Sequence, residues 1–287
     1  MSKTKYKNLP NEEDAVRRMT KAASGPGIRT SEPVNGIVYF ISSAPGLLKV
    51  NKEAILKINR IDGFSFSTFH GNITVKQDTS VAFAGLVPFA AQETNITEAE
   101  TICSEHYPVI EVKSFRNMKV GIILTGNEIY SGRIEDKFSP ILEKKFRKLN
   151  CSVLRRTPVP DDIEKTVSAI NELIEDGAEL IALTGGMSVD PDDLTPASIR
   201  KTGAEIITYG VPVYPGGMFL LAYLGDIPVL GLPGCVMYHR ASIFDLILPL
   251  IVAGETVTRD YVVSLGHGGF CSRCETCAYP LCGFGRQ

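Results

Sequence analysis

From Met118 to Ala253 the chain alternates short apolar runs with stretches of helical apolar spacing, and few folds accommodate that alternation. MKVGIILT, residues 118–125, is a continuous apolar run ending in Gly126. Unbroken runs of this kind belong to strands covered on both faces. Phe138, Ile141, Leu142, Phe146 and Leu149 then mark one face of a helix, and Ser152–Val159 reads as a second strand. Ile163, Val167, Ile170 and Ile174 form the stripe of another helix, with Asp161 as N-cap, Glu164 as its capping-box partner and Gly177 as its stop. AELIALT is a third strand, running straight into Gly185-Gly186. Thr195-Pro196 reads as an N-cap followed by a first-turn proline, with Gly203 closing that helix. Strands follow at Glu205–Tyr209 and Pro228–Leu232, and a long apolar helix is expected after Pro233-Gly234. The prediction over 116–262 is a three-layer α/β/α domain on a mainly parallel sheet.

The flanks are different. Residues 1–34 read as a mobile polar leader with a short helix near Glu12–Ala23 and a Gly-Pro-Gly break after it. Residues 35–115 read as a small β-rich or α+β domain: GIVYFIS, DGFSFSTFHGNITV, Ser80–Leu86 and Pro108–Lys113 supply strands, and Asn51–Asn59 a short helix. Residues 263–287 form a cysteine-rich tail. At 287 residues the chain is long enough for one sizeable core and a smaller satellite. Its formal net charge of -2 offers no basic field to a nucleic-acid backbone. The polar N-terminus lacks a signal-peptide core, and the apolar run at Ile243–Ala253 is short and carries Asp245 and Pro249. A cytoplasmic protein that neither spans a membrane nor binds nucleic acid is expected.

In parallel sheets ligands collect beyond the carboxyl ends of the strands. Here those ends carry Thr125-Gly126-Asn127-Glu128, Pro160-Asp161-Asp162, Thr184-Gly185-Gly186 and Leu232-Pro233-Gly234, so four loops should converge on one rim. Gly185-Gly186 lets backbone amides approach a ligand, Thr184 and Ser188 add hydroxyls, and two helix N-termini favour an anion. Glu128, Asp161, Asp162, Asp190, Asp192 and Asp193 would repel a phosphate there unless a divalent cation lay between them, and magnesium suits that role. Plainer readings stand beside this one. Asp161 serves equally well as a helix cap, Asp192 and Asp193 as loop solvation, and Glu128 as an exposed loop residue.

VGIILTGNEI, IEDKFSPIL, VPDD, LTGGMSVDPDD and GLPG, in that order, resemble the molybdopterin-binding domain family (MoaB/Mog/MoeA-like) over roughly Met118 to Ala253. The β-rich region before the domain, with Gly46–Pro88, is most like the molybdopterin molybdenumtransferase type. The resemblance implies that Glu128, Asp136, Asp161, Asp162 and Asp193 serve magnesium and substrate phosphate. Glu128, Asp161, Asp162 and Asp193 are the candidate catalytic set, with Asp162 and Asp193 as metal ligands. It implies that Thr125, Gly126, Asp136, Thr184, Gly185, Gly186, Ser188, Pro233 and Gly234 line a molybdopterin cradle. The activity implied is binding of molybdopterin, or adenylated molybdopterin, and insertion of molybdate with release of AMP. Two alternatives stay open: ATP-dependent molybdopterin adenylyltransfer, and a non-catalytic cofactor carrier that docks on molybdoenzymes or other cofactor-assembly proteins. A homo-oligomer is implied by the same resemblance. The chain departs from the family pattern at Asp136-Lys137-Phe138, at Pro215-Gly216-Gly217 and at Pro233-Gly234-Cys235-Val236-Met237-Tyr238. Cys235 is read either as a small buried residue or as a thiol near a molybdenum site.

The tail carries Cys271-x2-Cys274-x2-Cys277-x4-Cys282, a spacing at which four thiolates can enclose zinc or an iron–sulfur cluster. Ferredoxin-like runs share its opening but have a shorter last gap and a proline after the final cysteine, where this chain has Pro280 before it. His267, between Gly266 and Gly268, reads as a turn residue.

Overall fold

Helix α1, Glu12–Ala23, falls in the stretch that reads as a polar leader, yet Ala15, Val16, Met19 and Ala23 on it are fully buried. This comes from a computed structural model, which describes residues 11–86, 92–187 and 193–286. The charged outer face of α1 dominates its composition and hides a narrow apolar stripe. That is why the segment reads as a leader, whereas it is part of the first of two units, Met1–Ser114 and Phe115–Gln287.

The first unit continues with β1 (Ile28–Thr30), β2 (Ile37–Ser42), β3 (Gly46–Val50), α2 (Lys52–Ile58), β4 (Phe64–Thr68), β5 (Ile73–Val75), β6 (Ser80–Leu86), α3 (Glu93–Glu105) and β7 (Ile110–Ser114). Its strands form two antiparallel sheets, ordered β1-β2-β6-β4 and β5-β3-β7. Helices α1 and α3 pack on one shared core, where Met19, Ile96, Ala99 and Cys103 meet Phe40 and Phe66, whose rings stack at 4.8 Å. Helix α3 has no counterpart in the sequence reading, because its buried residues are spread thinly among Thr and Glu. Arg18 fastens the two helices, donating to both oxygens of Glu100 at 2.7 and 3.0 Å and to Glu93 at 2.8 Å.

The second unit holds β8 (Lys119–Thr125), α4 (Asn127–Tyr130), α5 (Ser139–Lys148), β9 (Ser152–Val159), α6 (Ile163–Glu175), β10 (Leu180–Thr184), α7 (Thr195–Lys201), β11 (Glu205–Tyr209), β12 (Leu220–Leu224), β13 (Ile227–Leu232), α8 (Cys235–Tyr238), α9 (Ile243–Val252) and α10 (Arg259–Ser264). Its sheet runs β11-β12-β13-β10-β8-β9, with β13, β10, β8 and β9 parallel and β12 antiparallel to both its neighbours. Ile123, Ile181, Leu183 and Val229 face α6 and α7 through Ile170, Leu173 and Ile199. The alternate residues Val120, Ile122, Leu180 and Ala182 are also fully buried, so both faces are covered. The mainly parallel three-layer arrangement expected from the sequence is present.

Local starts and stops depart from the reading in three places. The N-cap of α6 is Asp162, whose side chain accepts from Lys165 N at 2.9 Å, and Asp161 is not the cap. Thr195 is the first residue of α7 rather than its cap, and its hydroxyl points back at the preceding loop. The single long helix expected after Pro233-Gly234 is two: the one-turn α8, then α9. The break falls where Asp245 Oδ2 accepts from both the amide and the hydroxyl of Ser242, fixing a new N-terminus. Among the described residues no helix is long and apolar enough to cross a membrane.

Truncating Met19 to alanine in the α1–α3 core is expected to cost roughly 2–5 kcal/mol, read as a lower urea midpoint for the first unit. Glu100 is held below the ordinary carboxylate range by its hydrogen bonds to Arg18. Its contribution is therefore complete above that range and is lost as pH falls through the lowered value. Arg18→Met should flatten this acid limb of a stability-versus-pH curve.

Candidate functional site at the carboxyl edge of the sheet

Because β8, β9, β10 and β13 are parallel and in register, their last residues lie along one edge: Thr125 pairs with Val159, and Thr184 with both Leu124 and Leu232. All four loops singled out in the sequence therefore leave the sheet on the same side. The closest approach is between the ends of β8 and β10. Thr125 Oγ1 donates to Thr184 O at 3.0 Å and lies 3.3 Å from Thr195 Oγ1, and the Thr195 hydroxyl donates to Gly185 O at 2.9 Å. The three threonines are buried. Gly185 has φ +89°, and a Cβ there would sit 2.2 Å from Thr125 O. Gly186, at φ +52°, would bring a Cβ to 2.8 Å from Thr195 Oγ1. Only glycine permits this shelf.

The loops after β8 and β9 are tied to each other as well. Asp161 Oδ2 accepts from Asn127 N at 3.1 Å, and Asn127 Oδ1 accepts from Asp161 N at 3.2 Å. Gly126, with φ +136°, donates to Val159 O at 3.1 Å and turns the chain into α4. Glu128 on that helix is exposed. Lys165, on the first turn of α6, carries its ammonium over the Tyr130 ring of α4 at 5.9 Å, placing a cation among the rim acids.

The structure does not gather the predicted acids into a metal cage. Among the described residues no three metal-ligating side chains converge. Asp162 spends one oxygen on the α6 cap. Asp136 Oδ1 accepts from Phe138 N and Ser139 N, both at 2.9 Å, so it caps the start of α5. Asp193 stands at the far side of a loop whose residues 188–192, with Ser188, Asp190 and Asp192, lie outside the described residues. Pro233 is buried and Gly234 exposed at the fourth loop. Glu128 is exposed, and Asp161 keeps one carboxylate oxygen beyond the one that accepts from Asn127 N.

Several rim features escape sequence reasoning. Thr195 acts through its hydroxyl, which no spacing rule announces. Ser139 Oγ, at the start of α5, is fully buried without a hydrogen-bond partner. Lys145 on α5 meets Asp245 at 2.6 and 2.7 Å, with both side chains largely buried. The signal for Asp245 was present, since Ser242-x-x-Asp245 is itself a capping pattern. Burial raises the Cys235 thiol, with Lys145 pulling the other way. A concavity of about 400 Å³ lined by Glu143, Arg147, Arg155 and Arg156 lies along the β9 edge, toward the opposite end of that strand. Its Arg155 and Arg156 are paired with Asp176 and Glu143, so it is a solvated salt-bridge groove rather than part of the rim.

The family described as Probable molybdopterin binding domain matches residues 121–253. The chain is similar to this family over just under half of its length. The match takes in β8 through α9 and thus the whole rim. A molybdopterin molybdenumtransferase of Haemophilus influenzae is 30% identical over 153 residues, covering 50% of this chain and 37% of that protein. One of Synechococcus elongatus is 25% identical over 182 residues, 60% of this chain and 45% of that protein. A CinA-like protein of Thermosipho melanesiensis is 38% identical over 92 residues, 31% of this chain and 23% of its own. The chain spans less than half the length of these relatives. Among solved structures, the molybdopterin biosynthesis enzyme MoaB of Thermus thermophilus is 19% identical with a TM-score of 0.40, covering 48% of this chain and 98% of that one. The cysteine tail lies outside the matched region of the molybdopterin-binding domain.

Gly185→Ala should destabilise the second unit by about 1–3 kcal/mol through forced φ and steric overlap. Gly234→Ala, at φ -53° with open space around it, should be neutral or slightly stabilising. Thermal unfolding of the two variants side by side checks the contrast.

Proposed function

We propose that the chain works in molybdenum-cofactor biosynthesis, binding molybdopterin in adenylated form at this rim and inserting molybdate with release of AMP. The observation that carries the reading is the side-chain-free shelf at Gly185-Gly186, backed by the buried hydroxyls of Thr125, Thr184 and Thr195. The missing side chains at Gly185 and Gly186 let this loop pack against Thr125 O and Thr195 Oγ1, and that packing fixes the backbone against which a phosphate would rest. Residues 121–253 match a family described as a probable molybdopterin binding domain, and two of the relatives named above are molybdopterin molybdenumtransferases, which supports the same choice of ligand.

The chain's own residues would divide the work. Gly126, Gly185, Gly186 and Pro233-Gly234 shape the cradle, with Thr184 and Ser188 as hydroxyl donors. Asp162 and Asp136 each spend one oxygen at the starts of α6 and α5 and would offer the other to magnesium or the substrate phosphate. Glu128, Asp161 and Asp193, on three separate elements of the rim, would share a magnesium ion with the phosphate. Lys165 offsets part of their charge. When bound, magnesium supplies charge neutralisation at the phosphoanhydride that is cleaved. Positioning and charge carry most of such a reaction, with no need for a protein nucleophile.

Protein given adenylated molybdopterin, magnesium and molybdate should release AMP, and Glu128→Gln or Asp161→Asn should slow release about tenfold or more, equivalent to ~1.4 kcal/mol. No release above a protein-free control sinks the transferase reading. ATP consumption in the presence of molybdopterin would instead favour adenylyltransfer. Tight binding of molybdopterin without turnover of either kind would favour a carrier.

A further inference from the structure

The tail of the second unit is a loop with pinned ends and little holding its middle. On the entry side Tyr214 N donates to Gly269 O at 2.8 Å, and Cys271 N donates to Tyr214 O at 2.9 Å. On the exit side Gly285 N donates to Gly268 O at 2.9 Å, Phe284 is buried, and a Cβ on Gly285 would overlap Leu246 of α9. A third anchor lies between them. The Tyr279 hydroxyl donates to Asp245 O at 2.6 Å, and burial keeps that phenol protonated well beyond its ordinary range.

Between these anchors the chain has no regular secondary structure, and no backbone hydrogen bond is donated by Ser272 through Ala278. The same stretch contains Cys271, Cys274 and Cys277, with Cys282 just beyond, and none is in a disulfide. Cys274 is exposed and the other three half-buried, whereas Cys103 and Cys151 elsewhere in the chain are buried, with their thiols pushed up by that burial. Two guanidinium groups accompany the loop. Arg273 lies over the Tyr214 ring at 5.6 Å, and Arg286 donates to Cys282 O at 2.6 Å and to Pro280 O.

We infer that Cys271, Cys274, Cys277 and Cys282 together hold one thiolate-bound metal centre, and that metal binding closes this loop. The four sulfurs are not gathered at a common point in the structure, since no three metal-ligating side chains converge among the described residues. The cysteine spacing and the anchored ends carry the inference. The ion would supply the order that this stretch, without backbone hydrogen bonds donated by Ser272 through Ala278 among the described residues, does not draw from a ladder of its own. The ends are already fastened, so closure only has to order the residues between them. Each thiol releases a proton to solvent as it binds. The C-x2-C-x2-C opening suits three corners of an iron–sulfur cluster, and four thiolates equally complete a tetrahedral zinc site. Thiolate coordination is common to both. Since Tyr279 and Gly285 rest on α9, the closed loop would bear on the helix whose start holds Lys145 through Asp245.

The test is metal and sulfide analysis of the full chain purified without oxygen, with visible spectra and a cobalt titration of metal-free protein. Roughly four iron and four sulfide per chain, or roughly one zinc with a tetrahedral cobalt-thiolate spectrum, supports the inference and identifies the centre. Cys274→Ser combined with Cys277→Ser should lower the metal content to about half or less, whereas Cys235→Ser should leave it unchanged. Both positions lie on the loop rather than in the core, and circular dichroism checks that the variant remains folded. The inference is overturned if neither metal binds after reconstitution with iron and sulfide or titration with zinc. It is overturned too if the double variant keeps its metal, or if the four cysteines of anaerobic protein are found in disulfides.

Discussion

The contact between Thr125 and Gly185 sets the geometry on which the rim depends. Two parallel strands, β8 and β10, end level with each other, and the loops leaving them would ordinarily be kept apart by side chains. The Thr125 carbonyl instead lies where a Cβ on residue 185 would have to be. With that space free, Thr125 can donate to Thr184 O while Thr195 reaches the Gly185 carbonyl. The first residue of α7 is thereby joined to the end of β10, although residues 188–192 intervene in sequence. One missing side chain brings a strand end, a loop and a helix start into a single hydrogen-bonded group.

This arrangement also bears on how charge can be handled at the edge. The shelf is neutral and made of hydroxyl and backbone groups, while the carboxylates stand around it on other elements: Glu128 on α4, Asp161 after β9, Asp193 before α7. Two of the acids are partly committed to structure, Asp162 to α6 and Asp136 to α5. A dense cage of free carboxylates would repel one another and would require a resident cation. Acids spread across separate elements and partly paired with amide donors repel one another less.

The second unit was legible in the sequence because its signals are local and repeated. Unbroken apolar runs named β8 and β10, and a periodic stripe named α6. What the sequence blurred were choices between adjacent residues. Asp161 and Asp162 are both able to cap, and the decision falls to Asn127, a tertiary partner that takes Asp161 into a reciprocal pair. The α8–α9 break was missed because the apolar composition on both sides of it overwhelmed the Ser242–Asp245 signal. In the first unit the opposite happened: charge hid the buried stripe of α1, although its helix was expected, and Thr and Glu diluted the buried positions of α3 so that it was missed. Thr195 shows the remaining limit: its role depends on a carbonyl ten residues away that only the folded loop presents.

The region around Asp245 links features that are unrelated in sequence. Its carboxylate takes the Lys145 ammonium and the Ser242 amide and hydroxyl, so it joins α5 to the start of α9. Its backbone carbonyl takes the Tyr279 hydroxyl, so the same residue receives the cysteine loop. Pro215 O accepts from Ile243 N at 3.0 Å, and Gly216, at φ +130°, leaves room for Ile243 against that turn. The Pro215-Gly216-Gly217 turn, where the chain departs from the family pattern, therefore packs against the same helix start that the tail contacts. Tyr279 and Asp245 are thus the contact through which the tail meets the first turn of α9, next in the chain after α8 and Pro233-Gly234.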